Sequence, residues 1–329
     1  MNAVILAGGF GSRLKPLTDS TPKPMLPVAN VPMLDYVVAH LYDSGIRDTV
    51  LTLGYYPEQI VYWMEGYSGV KAHYAVEDVP LGTAGGVKEA SDLLDERFIV
   101  VSGDALENID FGAMVREHIR SGKSVTMAVT KVEDTRRFGL VGFDSGGTVT
   151  DFFEKPENAV GAGWVNCGVY VMERKVLRRV PKGEKYDFSR DLFPDLVARG
   201  DIHAYRHDGF WSDIGSLSSY YEANFLMTDG GFFKGASHRN KTVSRRFGSV
   251  DTTLAAYSSL VVGKARHCVI GEGAAVSSGA DITDCVVMPY VTVSGIHVGE
   301  ILGENCYLPI NDFALLNRSD STRIYKKFS

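Results

Sequence analysis

The chain runs to 329 residues, with 34 Lys and Arg against 40 Asp and Glu and a net charge of -6. That length exceeds what one hydrophobic core usually fills, so two domains are expected, and the acidic balance speaks against nucleic acid or an anionic membrane as partner. Cys167, Cys268, Cys285 and Cys306 form no Cys-x-x-Cys pair, a pattern that suggests neither a zinc site nor a disulfide scaffold and points to a reducing, cytoplasmic compartment. The apolar run at 3–7 is too short for a signal peptide or a membrane span.

That run is the first predicted element, a buried-type strand, and it leads into Leu6-Ala7-Gly8-Gly9-Phe10-Gly11-Ser12-Arg13-Leu14 and then Pro22-Lys23-Pro24. Three glycines after a buried strand let successive backbone N–H groups converge on an anion, and Arg13 and Lys23 add fixed positive charge. The expectation is a triphosphate-holding turn. A dinucleotide fingerprint is ruled out because Leu14 stands where its third glycine belongs, and no Gly-Lys-Ser/Thr run exists for a Walker loop. The alternative reading of the same glycines is a plain strand-to-helix turn.

Further strands are predicted at 49–53, 70–76, 98–102 and 124–129, with helices at 33–44, 58–65, 83–94 and 111–120 between them. This alternation implies βαβ units, a mostly parallel mixed sheet and a Rossmann-like α/β domain, with ligands bound at the carboxyl ends of the strands. Strands near 140–143 and 148–153, joined by Asp144-Ser145-Gly146-Gly147, fit a hairpin insertion. That tetrapeptide is turn chemistry rather than a serine nucleophile. A strand at 164–172 and helices at 188–198 and 217–227 complete this region.

Four segments at predicted strand or helix ends carry the chemistry. Ser102-Gly103-Asp104 follows a strand and Trp211-Ser212-Asp213 precedes a helix, giving the one or two carboxylates with which proteins hold magnesium beside phosphate oxygens. Singly, each acid reads as a cap or turn residue. Glu154-Lys155-Pro156 brings a cation suited to a second phosphate, and Pro80-Leu81-Gly82-Thr83-Ala84-Gly85-Gly86 opens a helix with a flat surface suited to a base.

Beyond residue 229 a basic connector holds Lys234, Arg239, Lys241, Arg245 and Arg246. From about 257 to 310 a six-residue period follows, in the series Val262, Cys268, Ala274, Ala280, Val286, Thr292 and the series Ile270, Val276, Ile282, Met288. That is the repeat of a parallel β-helix, here about three coils at roughly eighteen residues each. The expected organisation is a domain at 1–229, a connector at 230–250, hexad repeats at 251–311 and a tail at 312–329.

Through these segments, with Phe138-Gly139 and Asn166-Cys167-Gly168-Val169-Tyr170, residues 1–229 resemble the sugar-1-phosphate nucleotidyltransferases, and the hexads resemble the left-handed β-helix appended to many of them. The resemblance implies that Leu6, Ala7, Gly8, Gly9, Gly11, Ser12, Arg13, Lys23, Leu81, Gly82, Thr83, Ala84, Gly85 and Asp104 bind the nucleotide. It further implies that Gly139, Glu154, Lys155 and Asn166 bind the sugar phosphate, and that Asp104 and Asp213 hold Mg²⁺. Arg13, Lys23, Asp104, Lys155 and Asp213 form the implied catalytic set. The 77–85 and 100–106 segments are most similar to mannose-1-phosphate guanylyltransferases, which favours GTP and mannose 1-phosphate as substrates; a homo-oligomer is expected because the ends and faces of a β-helix often associate. Glucose 1-phosphate with dTTP or UTP is the rival pairing, a non-catalytic nucleotide-sugar-binding regulator the second reading, and acyl transfer with His267 or His297 as base the third.

Overall fold

The computed structural model describes residues 1–156, 161–230, 244–246 and 253–310. Its contacts separate into two compact units, Met1–Phe10 with His40–Asp213, and Gly11–Ala39 with Ile214–Ser329. Among the described residues no helix is long and apolar enough to cross a membrane.

The first unit is a mixed sheet flanked by helices. Its strands are β1 (Ala3–Ala7), β2 (Asp48–Leu53), β3 (Lys71–Val76), β4 (Arg97–Ser102), β5 (Ala105–Glu107), β6 (Val125–Val132), β7 (Gly139–Phe143), β8 (Val149–Glu154), β9 (Gly163–Glu173), β10 (Ile202–Arg206) and β11 (Trp211–Asp213). The helices are α1 (Met33–Asp43), which contributes residues to both units, α2 (Pro57–Glu65), α3 (Gly82–Glu89), α4 (Phe111–Ser121) and α5 (Phe193–Ala198). The large sheet runs β8-β7-β9-β4-β1-β2-β3, with β6 paired to β9 and β10. The strands β3, β2, β1 and β4 are mutually parallel. Covered on both faces, β1 has no polar side to show, which is why its sequence is apolar without alternation. Val4, Val50, Phe98, Val100, Met127, Met172 and Phe193 share the core of this unit.

Parallel pairing fixes where the strands end. Leu6 of β1 lies opposite Ser102 of β4, so both strands stop at one edge, and Gly103 there donates its N–H to the Leu6 carbonyl at 2.9 Å. A Cβ at Gly103 would stand 2.9 Å from that same carbonyl oxygen, so only glycine lets the chain turn this tightly.

The hairpin expected over 140–153 is present as antiparallel β7 and β8, with the Asp144 carboxylate accepting from Thr148 N–H at 2.8 Å in the turn. Three strands were not legible beforehand. β5 and β11 have three residues each, too few to show a period, and β10 alternates modestly through Ile202 and Ala204. The helices expected at 83–94 and 188–198 are each divided. The first passes from α3 into a 3-10 turn at Ser91–Leu93, and the second opens with a wider π turn at Phe188–Leu192 before α5.

In the second unit, three parallel ladders form the predicted β-helix. Leu254 pairs with Val269, Val269 with Val286 and Val286 with Ile301, so successive coils take 15, 17 and 15 residues rather than eighteen. The inward series therefore slips. Cys268, Ile270, Ala274, Val276, Ala280 and Ile282 point into the core as the six-residue period predicts, but the next inward residues are Cys285, Val287, Val291 and Val293. Thr292, placed in the series by sequence, is exposed.

The helix α6 (Leu217–Gly230) seals one face of this β-helix. Tyr221 donates its hydroxyl to the Asp284 carbonyl at 2.7 Å, and Tyr220 donates to the Pro27 carbonyl at 2.5 Å. Asn224 accepts from Ala29 N–H at 2.9 Å, and Asn30 reaches the Ile270 carbonyl at 3.0 Å. Of the basic connector, Ser244–Arg246 pairs antiparallel with Leu254–Ala256. Lys234, Arg239 and Lys241, like the tail at 312–329, lie outside the described residues.

Candidate active site

Two short strands gather the acids. Antiparallel pairing of β5 with β11 sets Asp213 opposite Ala105, the residue next to Asp104, so acids 109 positions apart in sequence share one end of a ladder. The Ser102 hydroxyl donates to the Asp104 carboxylate, and Ser102 and Asp213 both line a cavity of about 200 Å³.

The other walls come from the hairpin and from β9. Glu154 pairs in register with Gly139 at the hairpin's open end. The next residue, Lys155, adopts a left-handed φ of 46°, uncommon for a side-chain-bearing residue. Its Nζ lies 3.3 Å from Glu154 Oε1. On β9 the register breaks between Asn166 and Tyr170, a bulge of the kind that re-aims side chains at functional sites. Within it Asn166 accepts from Gly168 N–H at 2.9 Å and donates to the Tyr170 hydroxyl at 2.7 Å. Burial pushes the Tyr170 phenol well above its ordinary pKa, so it stays protonated. Trp211 donates its indole N–H to the Cys167 carbonyl at 2.9 Å and meets Phe138 edge to face.

Of the residues singled out from sequence, the cavity is lined by Leu6, Thr83, Gly139, Glu154, Lys155, Asn166 and Asp213; Asp104 is not among the lining residues but accepts from Ser102, which is. The start of α3 is more occupied than expected. Ala84 and Gly85 both donate their N–H groups to the Tyr186 carbonyl at 2.9 Å, and Thr83 N–H reaches Asp187 Oδ1 at 3.2 Å. Gly82 has a φ of 74°, and a Cβ there would stand 2.8 Å from the same Tyr186 oxygen. These helix-start amides are taken by the chain's own 186–187 segment, and the Thr83 hydroxyl is engaged there too, donating to Asp187 Oδ1 at 3.3 Å and accepting from Phe188 N–H at 2.9 Å.

In the glycine loop, a positive φ occurs at Gly11, 62°, and not at Gly8 or Gly9. A Cβ on Gly9 would meet no described residue within 4 Å. Nothing in the chain's own packing there calls for glycine, which fits a loop kept bare for a ligand to approach. In the second unit, Gly11 opens the turn Ser12–Leu14 and sits against Lys23, a Cβ on Gly11 coming 3.0 Å from the Lys23 Cβ. Lys23 is buried and Arg13 exposed.

Sequence reasoning gave no role to Arg137, Phe188, Ser189 or Trp211, all cavity residues. Arg137 directly precedes Phe138-Gly139, and Trp211 opens the Asp213 motif, so adjacency to recognised motifs was the available signal. The acyl-transfer histidines are engaged elsewhere. His297 contacts Glu300 through Nδ1 at 2.8 Å and the Ser294 carbonyl through Nε2 at 2.9 Å. His267 lies 2.5 Å from Asp284 Oδ1 and stacks on Phe225.

A mixed α/β sheet with acids at the carboxyl edge of its strands and a polar cavity in the same unit is an arrangement suited to a phosphorylated ligand. The chain belongs to the nucleotidyl transferase family, whose model matches residues 2–230, and is a nucleotidyltransferase. It is 31% identical over 300 residues to the mannose-1-phosphate guanylyltransferase of Mycobacterium tuberculosis, covering 89% of this chain and 81% of that one. To the catalytic subunit beta of mannose-1-phosphate guanylyltransferase from Drosophila melanogaster it is 36% identical over 224 residues, 66% of this chain, and the match spans 60% of that protein's length. Among solved structures, HddC from Yersinia pseudotuberculosis superposes with a TM-score of 0.62 at 28% identity, over 69% of this chain and 99% of that one. The same protein complexed with GMP-PN gives 0.61.

Proposed function

We propose that the protein transfers a guanylyl group from GTP to mannose 1-phosphate, forming GDP-mannose and pyrophosphate. The observation that carries this is the β5–β11 ladder, which brings the Asp104 and Asp213 positions together beside a cavity holding Lys155, Glu154 and Asn166. The named relatives and the GMP-PN complex of a structural neighbour support the choice of base and sugar.

The sugar phosphate sits in the cavity, its phosphate on Lys155 and its hydroxyls on Glu154, Asn166 and the Gly139 backbone. The nucleotide lies along the Gly8–Gly9 backbone and the 81–85 turn; Arg13 and Lys23 are taken, on the family resemblance alone, as its phosphate-binding cations. A phosphate oxygen of the sugar attacks the α-phosphorus in line, and the β–γ pyrophosphate leaves with the bridging electron pair. No protein nucleophile takes part. The catalytic contribution is alignment of two anions and neutralisation of their charge.

Asp104 and Asp213 suit a divalent cation. Both are hard carboxylate donors. That matches Mg²⁺, which keeps one or two carboxylates and takes the rest of its shell from phosphate and water. When bound, it supplies charge neutralisation on the phosphates.

We further take 1–229 as the catalytic domain, 230–250 as its connector, 251–311 as the β-helix and 312–329 as the tail, in a cytoplasmic homo-oligomer. The free cysteines support the compartment, and light scattering on the purified protein tests the assembly. The decisive experiment is pyrophosphate release with each of five nucleoside triphosphates against mannose and glucose 1-phosphates. GTP with mannose 1-phosphate giving the highest kcat/KM supports the reading. Preference for dTTP or UTP with glucose 1-phosphate replaces it with the rival pairing.

A further inference from the structure

Directly before β7, residues 134–138 form a tied loop in which each side chain but one has an engagement. Arg136 lays its guanidinium on the Asp134 carboxylate, with Nε–O distances of 2.8 and 3.0 Å, and this hydrogen bonding draws the Asp134 carboxyl down to about 2. Thr135 is buried, its hydroxyl reaching the Gly161 carbonyl at 3.3 Å and its own carbonyl accepting from Phe138 N–H at 3.1 Å. Phe138 packs its ring against Trp211. The exception is Arg137, whose charge acts on the nearby Asp134 carboxylate but which makes no hydrogen bond or ion pair with any described residue, and which lines the cavity with Lys155, Glu154 and Asp213.

The charges of that lining explain what Arg137 is for. Lys155 already lies 3.3 Å from the Glu154 carboxylate, and Asp213 is a second anion in the wall. A sugar 1-phosphate arrives with nearly two negative charges at neutral pH, the second phosphate pKa being about 6. With Lys155 alone it would meet two carboxylates and one compensated cation. The Arg137 guanidinium adds a second positive charge and, bonded to no described residue, two parallel N–H donors for a pair of phosphate oxygens.

We propose that Arg137 is a phosphate-binding residue of this cavity, clamping the phosphate of the incoming sugar 1-phosphate together with Lys155. This rests on the transferase reading above. The Arg136–Asp134 pair and the Phe138–Trp211 contact act as anchors that hold the Arg137 backbone at the rim, so the long side chain reaches the cavity from a fixed base.

The test uses the full chain and its Arg137→Ala and Arg137→Lys variants, with steady-state pyrophosphate release and calorimetric titration of mannose 1-phosphate, glucose 1-phosphate and unphosphorylated mannose. Arg137 is exposed, so melting temperatures should match the unsubstituted protein. The expected result for Arg137→Ala is a KM for sugar 1-phosphate raised roughly 10- to 100-fold, the loss that follows from charge-assisted hydrogen bonds, with the KM for the triphosphate changed less than about twofold. Arg137→Lys should fall between, since it restores charge but not the fork. A sugar-phosphate KM unchanged in Arg137→Ala, or a rise shared equally by the triphosphate, overturns the assignment. Failure of the parent reading looks different. The unsubstituted protein then yields no pyrophosphate with any sugar 1-phosphate, and the assignment of Arg137 falls with it.

Discussion

The large α/β sheet and the β-helix treat their polar side chains in opposite ways. Around the cavity, Lys155, Asp213, Asn166 and Arg137 line open space, even though Lys155 lies against Glu154 and Asn166 bonds Gly168 and Tyr170. In the β-helix, His297 is closed between Glu300 and Ser294, His267 meets Asp284, and Arg266 pairs with Asp281 on the neighbouring coil. Ionisable groups are plentiful in both regions. What separates them is access, since the cavity groups border space that a ligand can enter.

The comparison breaks first at Asp104. Asp104→Asn should lower kcat by roughly 100-fold or more in the pyrophosphate assay, because a carboxylate at the reacting phosphates contributes several kcal/mol to the transition state. Undiminished turnover removes Asp104 from the mechanism and the sheet edge from its role. Next in size is Gly103→Ala, whose Cβ would press on the Leu6 carbonyl. A loss of about 1–3 kcal/mol in denaturant midpoints, with activity falling alongside, is the expected outcome.

A third experiment reads the interior just behind the ladder. Glu107 is 7% exposed, accepts from Ile109 N–H at 2.5 Å and stands 3.6 Å from His40 Nε2. Burial raises its carboxyl to about 8 and lowers the His40 imidazole, so at neutral pH they face each other uncharged. A carboxyl whose folded pKa lies above its unfolded value of about 4.5 stabilises the fold below that value, and this contribution is lost as pH rises toward 8. The Glu107 contribution to melting temperature should therefore fall between about pH 5 and pH 8, while His40, lowered by burial, adds a contribution of opposite sign below about 6.5, and Glu107→Gln should remove the falling component. An identical slope in the variant would show that the pH dependence arises elsewhere.

The smallest effects belong to the β-helix. Tyr221→Phe removes the hydrogen bond to Asp284 and should cost about 1 kcal/mol of stability, measured by urea unfolding, without changing kcat. His297→Ala should leave turnover within twofold. A large loss of activity there would return chemistry to the repeats and undo the contrast between the regions.

Much of this was readable from residues. The β1 strand, the glycine turn, the hairpin around Asp144 and the six-residue series through Ile282 each follow from periodicity or turn chemistry acting over a few neighbours. Legibility failed where pairing partners are distant. β5 and β11 exist because each is the other's partner, and neither has enough residues to announce itself. The same cause hid Arg137 and the 186–187 segment that occupies the start of α3.

The sequence by itself determined the α/β class, the repeat, the candidate acids and cations, and the nucleotidyltransferase resemblance, since all of these are local patterns or ordered motifs. Only the tertiary structure decided that Asp213 pairs with Ala105, the neighbour of Asp104, that Lys155 lies against Glu154 while Arg137 makes no ion pair with a described residue, and that coils of 15 and 17 residues shift the repeat's phase. These depend on which groups satisfy one another at long range. Charge and hydrogen-bonding capacity are fixed by residue type, but whether they remain available to a ligand is set by the fold.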